Sequence, residues 1–356
     1  MVLYFLIYAL VLAGGCLSLL NRSNWRSALQ RLYHPLLGVV LVLVAALRSS
    51  GIDRDYDHYF DWYKAVASGD LTLESWAKDP AYVLISYVLG VIAAPFTFVL
   101  FTFSVIIVLS TVVALRKIQS GRWFAILLYL IFCRFYLPYG MTQIRAAAAI
   151  PIMVVSILLA YERKIWIAIA LFLCALTFHF SIIIALPILI LIVAGVRFES
   201  RGWILSLIPI GFGVFIALRS LLTALANFDR AGVYLDGNYD VKGVRLFSVY
   251  FLACTLSLSY VFLFLWKKIN GKERLIAFSS ATGLFYQAVL SSNDALALRM
   301  SEVLGIFQVA VLIIPLSYIR GNALVVYVFF LMALGAIFFL SGINYVQPYH
   351  WVFGQW

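Results

Sequence analysis

Charge is scarce in this chain. Asp, Glu, Lys and Arg make up 12% of its 356 residues, while 65% are hydrophobic. A soluble domain carries about 25% charged and about 45–50% apolar residues. Apolar runs of spanning length recur from end to end, which excludes a water-soluble globular protein and leaves no room for a soluble domain between the runs. Cysteine is sparse too, and Cys16, Cys133, Cys174 and Cys254 each lie within an apolar run. With no CxxC or zinc-type spacing, they read as small core residues rather than a disulfide framework or a metal site. Internal repeats, heptads and low-complexity tracts are absent from the sequence. Met1–Leu20 has no basic n-region, and its basic residues follow the apolar run instead. A retained first helix is therefore expected rather than a cleaved signal peptide.

What remains is an all-α, polytopic membrane pattern. The net charge of +11 fits basic loops that set orientation better than nucleic-acid binding, which is not expected. Arg22, Arg26 and Arg31 form one such loop. Others hold Arg116, Lys117 and Arg122; Arg163 and Lys164; Arg197 and Arg201; Lys267, Lys268, Lys272 and Arg274; and Arg320. These loops are expected on the cytoplasmic side. Spans are expected near 2–20, 33–48, 96–115, 123–138, 142–160, 164–178, 180–196, 203–219, 245–266, 275–291, 300–318 and 323–341. That makes about twelve crossings of a single membrane domain, with both termini outside. Residues 80–94, cut off by Pro95, are expected to be re-entrant or to lie along the outer interface, because loop parity demands an odd number of crossings between Asp79 and Leu115 and the apolar stretch 81–115 is too long for one straight span. The larger outer loops are 49–79 and 220–244. The tail, Gly342–Trp356, is rich in Tyr, Trp and His, as interfacial segments are.

The acids gather where the basic loops are not. Arg48-Ser-Ser-Gly-Ile-Asp-Arg-Asp-Tyr-Asp-His-Tyr59 carries Asp53, Asp55 and Asp57. It admits three readings: a solvated loop, a divalent-cation site of alternating Asp, or a site that binds sugar and deprotonates a hydroxyl. Tyr56, Tyr59 and Trp62 favour the last. Six arginines run against the orientation bias at the same face: Arg48, Arg134, Arg145, Arg219, Arg245 and Arg299. Each alone could snorkel or pair structurally. Several converging on one spot would suit a diphosphate, since guanidinium makes bidentate bonds and keeps its charge. His179, between two apolar runs, is either a satisfied interfacial residue or a general acid–base. Glu302, one turn after Arg299, reads as its ion-pair partner.

Arg48-x-x-Gly51-x-Asp53 with Tyr56 resembles the first outer-loop motif of the EpsG-type branch of the Wzy polysaccharide polymerases. Asp55-Tyr56-x-x-Tyr59 fits the same element in a shifted register. Asp79-Pro80-x-Tyr82 is similar to the family's acidic-Pro-Tyr element, with Asp where Glu is usual. Ile144-Arg145 before an Ala-rich helix, His179-Phe-Ser181, and Leu298-Arg299-Met-Ser before a run ending at Pro315 resemble its later elements. The resemblance implies a glycosyltransferase that polymerises undecaprenyl-diphosphate-linked repeat units of O-antigen or exopolysaccharide. It implies a site at the periplasmic face of the bacterial inner membrane. The partners are then lipid-linked glycans and the bilayer, with a chain-length regulator as a further candidate.

The roles expected on this basis are as follows. Arg145 and Arg299, assisted by Arg48, stabilise the departing diphosphate. His179, or else Asp53 or Asp55, removes the acceptor proton. Tyr56, Tyr59, Asp57 and Asp79 contact sugar. No cofactor or metal is expected. The alternatives are a flippase for the lipid-linked unit, a GT-C type lipid-carrier glycosyltransferase, and an O-acyltransferase.

Overall fold

The computed structural model describes residues 1–19, 24–69, 79–207, 248–291 and 294–352. The second outer loop, Arg219, Arg245 and most of the span expected at 203–219 lie outside the described residues. Every named element is helical. Four stretches are long and apolar enough to cross a membrane: Phe96–Ile118, Phe124–Thr142, Ile144–Tyr161 and Asn322–Ile343. A fifth is the pair Ala297–Val303 and Gly305–Ser317, bent by 65° at the break between them. Shorter apolar helices occur at Val2–Cys16, Leu32–Ala46, Pro80–Val91, Ile165–Phe178, Phe180–Val193 and Val249–Leu265.

The chain divides into two compact units. The first comprises Met1–Ile183 and Gly321–Trp356. Its elements are α1 (Val2–Leu19), α2 (Asn24–Ala46), α3 (Tyr56–Ala67), α4 (Pro80–Val91), α5 (Phe96–Ile118), α6 (Phe124–Ile131) with its π-helical continuation (Phe132–Thr142), α7 (Ile144–Tyr161) and α8 (Ile165–Phe178). The helix Asn322–Ile343, α14, returns to this unit from the end of the chain. α2 starts well before the expected residue 33. Helix hydrogen bonds are internal to the backbone, so α2 continues past its apolar stretch through Arg26 and Arg31.

α7 is the core of this unit, flanked by α5 and α8. The small side chains of Ala146–Ala149 are all buried, which lets neighbouring backbones approach closely. The Ser156 hydroxyl donates across to the Ala168 carbonyl at 2.6 Å. α14 packs on α6 through a second close approach. The Tyr129 hydroxyl donates to the Met332 carbonyl at 2.7 Å, and a Cβ at Gly335 would collide with the Tyr129 ring.

The two ends of α7 differ in charge. Arg145 lies in its first turn, and Glu162 caps its last. At the Glu162 end, Lys117 from the end of α5 donates to Glu162 at 2.9 Å. The 18 residues of α7 separate these ends by about 27 Å. The basic turns and the acidic cluster therefore sit at opposite ends of one spanning helix.

The opposite end from Glu162 is closed by three pieces of chain. The tail after α14 runs antiparallel to the loop after α2, through the bridges Arg48–Trp351 and Asp53–Val346. Gln347 N–H donates to the Ile52 carbonyl at 2.7 Å, and Val352 N–H to Leu47 at 3.0 Å. The start of α1 joins them, where the Tyr4 hydroxyl donates to the Gln347 carbonyl at 3.0 Å. Tyr349 donates to the Val44 carbonyl at 2.9 Å. The Tyr-rich tail thus pairs with the acidic loop, a partnership its composition did not announce.

The second unit is Ile184–Arg320. Its elements are α9 (Leu186–Val193), the short turn Gly202–Leu205, α10 (Val249–Tyr260), α11 (Gly271–Val289), α12 (Asp294–Val303) and α13 (Gly305–Val311). α11 is the buried helix here. It opens with a reciprocal capping box: Asn270 accepts from Glu273 N–H, and Glu273 accepts from Asn270 N–H, both at 2.9 Å. Tyr250, Gln308, Ser301 and Gln287 form a buried hydrogen-bonded chain between α10, α13, α12 and α11. Each link satisfies groups that would otherwise be stranded in an apolar setting.

Candidate active site

α3 is the platform of the site. Its sequence, Tyr-Asp-His-Tyr-Phe-Asp-Trp-Tyr-Lys-Ala-Val-Ala, buries Tyr56, Tyr59, Tyr63 and Val66 at helical spacing. Asp57, His58, Asp61 and Lys64 lie exposed on the other face. α4 packs alongside. The Tyr82 hydroxyl donates to the Tyr59 carbonyl at 2.6 Å, and the Trp62 and Tyr82 rings stack at 4.5 Å. Pro80 begins α4, where a missing N–H costs nothing. Asp79 is thereby fixed at the junction.

One charged group precedes α3. Arg48 is fully buried, and its Nε donates to Asp53 Oδ2 at 2.7 Å. Arg48 Nη1 also donates to the Ala45 carbonyl. Asp53 is 4% exposed, and its other oxygen accepts from Asp55 N–H at 3.0 Å. Both Asp53 oxygens are therefore engaged. Asp55 is partly buried beside Arg54, at 3.9 Å. Burial raises its carboxyl above the usual range, and Arg54 opposes that shift. Tyr56 is buried against Phe96, with the Arg48 guanidinium 6.0 Å from its ring. Among the described residues, no three of His, Cys, Asp and Glu come together as a metal site.

The second group lies at the start of α7. The π-helical segment before it, containing Pro138, ends at Thr142, and α7 begins at Ile144. π-turns inside α-helices occur often at functional sites. Arg145 Nη1 pairs with Asp79 Oδ2. Its Nε donates to the Tyr59 hydroxyl at 3.4 Å. The guanidinium carbon lies 5.2 Å from the Tyr59 ring centroid and 5.1 Å from that of Trp62. Two aromatic faces and a carboxylate thus fix the plane of this arginine. None of these bonds uses Nη2. Burial pushes the Tyr59 phenol above its usual range despite the pull of Arg145, so it remains a neutral partner.

His179 follows α8 in an extended conformation. Its Nδ1 is 3.6 Å from Asp79 Oδ1, and its Nε2 is 3.0 Å from the Ser181 hydroxyl. Asp79 is 4% exposed. The structure thus brings Asp79, Arg145, His179, Tyr59 and Trp62 together from α3, α4, α7 and α8. It places Arg48, Asp53 and Asp55 in the loop before α3 and Tyr56 at the start of that helix, which joins them to the Arg145 group. Asp57 stands exposed on that helix. Arg299 lies on α12 of the second unit with Glu302, and both have interaction partners. The sequence pattern named Asp79 as a sugar contact, and its position between Arg145 and His179 had no signal in spacing. The contribution of the tail to the Arg48 loop was likewise missed.

This arrangement presents an oriented guanidinium beside an imidazole, on an aromatic platform, at the end of a spanning helix. That combination can bind an anionic leaving group and accept a proton nearby. No curated protein and no solved structure matches the chain. A family model described as the EpsG family matches residues 31–351, which takes in both charged groups and the tail that closes over them. The chain belongs to the EpsG family, the family of Wzy/EpsG-type polysaccharide polymerases.

Proposed function

We propose that this protein polymerises undecaprenyl-diphosphate-linked repeat units at the periplasmic face of the bacterial inner membrane. The growing glycan is transferred from its lipid diphosphate to a hydroxyl of the next unit, and undecaprenyl diphosphate leaves. Arg145 carries this reading: it is held by Asp79, Tyr59 and Trp62 with its Nη2 edge outside those bonds. That edge suits a diphosphate whose charge grows as the glycosidic bond breaks. His179 is the base that takes the acceptor proton. Arg48 we assign to the scaffold, since Asp53 already balances its charge in a buried pair. Trp62 and the exposed face of α3 offer aromatic and polar contacts to sugar. The reaction as proposed needs no metal, because guanidinium supplies the positive charge.

The membrane arrangement follows the same reading. α4 has 12 residues, about 18 Å, against a hydrocarbon core of about 30 Å. It lies beside amphipathic α3 and exposes Leu84, Val88 and Val91, as does Ile92 just after it. We place both helices along the outer interface rather than across the bilayer. The shorter apolar helices other than α4 cross together with the long ones and the bent pair, and with α11 and the span that the sequence places at 203–219 they make about twelve crossings.

The test is purified protein with a synthetic undecaprenyl-diphosphate repeat unit in EDTA. A glycan ladder with release of undecaprenyl diphosphate is expected. Flipping of the lipid in vesicles without any ladder would make this a transporter. A ladder only with added divalent cation would remove the metal-free mechanism.

A further inference from the structure

Asp79 has two oxygens and two partners of different chemistry. Oδ2 holds the Arg145 guanidinium. Oδ1 faces His179 Nδ1 at 3.6 Å, and neither of these two buried atoms has a hydrogen-bond partner. Stranding an acceptor and a ring nitrogen opposite one another is costly. The gap exceeds a normal hydrogen bond by about 0.7 Å, a distance that slight rotation of either side chain closes. The other ring nitrogen, Nε2, meets the Ser181 hydroxyl at 3.0 Å.

We propose that Asp79 is a positioning residue that fixes His179 as its Nδ1–H tautomer and, through the same carboxylate, fixes Arg145. An ionised carboxylate only accepts hydrogen bonds, so the imidazole must present Nδ1–H to it. Nε2 is then the lone-pair nitrogen. Ser181 donates its O–H to Nε2 and marks the direction from which a proton arrives. In the polymerase reading, on which this inference rests, the acceptor sugar hydroxyl takes that place. Its proton moves to Nε2 as its oxygen bonds to the anomeric carbon, and the bond to the diphosphate breaks with its electron pair leaving on phosphate oxygen. His179 becomes an imidazolium whose charge Asp79 balances. One carboxylate thereby couples the position of the base to that of the leaving-group cation, and the two move as a unit.

The experiment is nitrogen-15 NMR of histidine-labelled full-length protein in nanodiscs, with the His179 signals assigned by their loss in His179→Gln. Wild-type protein is expected to show the Nδ1–H tautomer at a pH where the ring is neutral. Asp79→Asn keeps an acceptor for Arg145 but turns an N–H₂ toward the ring, so the tautomer should switch to Nε2–H. Its polymerase kcat should fall by about 100-fold or more, with KM for the lipid-linked unit within a few-fold of wild type. Asp79→Glu should retain the Nδ1–H tautomer. An Nε2–H tautomer in wild type, or an unchanged tautomer and kcat in Asp79→Asn, would overturn the inference. If Asp79→Asn fails to fold, the wild-type tautomer still decides. Nδ1–H in a wild-type protein that makes no glycan would leave the Asp79–His179 arrangement standing and remove the polymerase reading alone.

Discussion

Removing the Arg48 guanidinium would leave Asp53 buried without a counter-charge. Breaking a buried pair from one side costs about 3–5 kcal/mol. Arg48→Ala is expected to lower the thermal midpoint sharply, with Arg48→Ala/Asp53→Ala less destabilised than the sum of the single changes. Additive losses in that double-mutant cycle would show that the pair does not couple. Arg145 stands in a different situation, because its partners orient it without enclosing it. Arg145→Lys keeps the charge but loses the planar fork and the stacking on Tyr59 and Trp62. A fall in turnover of about 100-fold, at unchanged expression and thermal midpoint, is expected. Both arginines are visible in the sequence as cations on the wrong side of the orientation bias. Their difference is not, because it depends on which carboxylate each one meets. Asp53 is five residues from Arg48, whereas Asp79 reaches Arg145 only after α4 and α5 have folded.

Helices were legible one at a time, and their meetings were not. The apolar runs place α5, α6 with its π-helical continuation, α7, α8 and α14 within a few residues of their observed bounds, and Pro95 separates α4 from α5 as its chemistry requires. The π-helical stretch after Ile131 has no counterpart in apolar periodicity, nor does the break at Leu304 between α12 and α13. The contact of α14 with α6 gives an element-scale test. Gly335→Ala would drive a methyl group into the buried Tyr129 ring. A destabilisation of about 1–3 kcal/mol is expected, read as a lower thermal midpoint. An unchanged midpoint would show that Tyr129 can shift without losing its bond to Met332.

At the scale of the whole molecule, the two ends of α7 differ in charge. On the proposed reading, the acidic and aromatic end of α7 faces outward and its basic end faces the cytoplasm. A cysteine at Asp57, exposed on α3, should react with an impermeant maleimide from the periplasm. A cysteine at Lys164, beyond the Glu162 end of α7, should react only after the membrane is opened. Equal labelling of both from outside would break the topology. The all-helical fold class was legible because the bilayer imposes length rules on sequence. The bend within residues 297–317 was not, since a 65° break at Leu304 leaves no mark on averaged hydropathy.

The most direct measurement is the turnover of wild-type, Arg145→Ala and His179→Ala proteins on one synthetic undecaprenyl-diphosphate repeat unit in nanodiscs. The account predicts a glycan ladder from wild type and none from Arg145→Ala at matched folding. It also predicts a loss of at least 100-fold in His179→Ala. Ladders of normal length from both variants would contradict it and move the chemistry away from the Arg145–Asp79–His179 group.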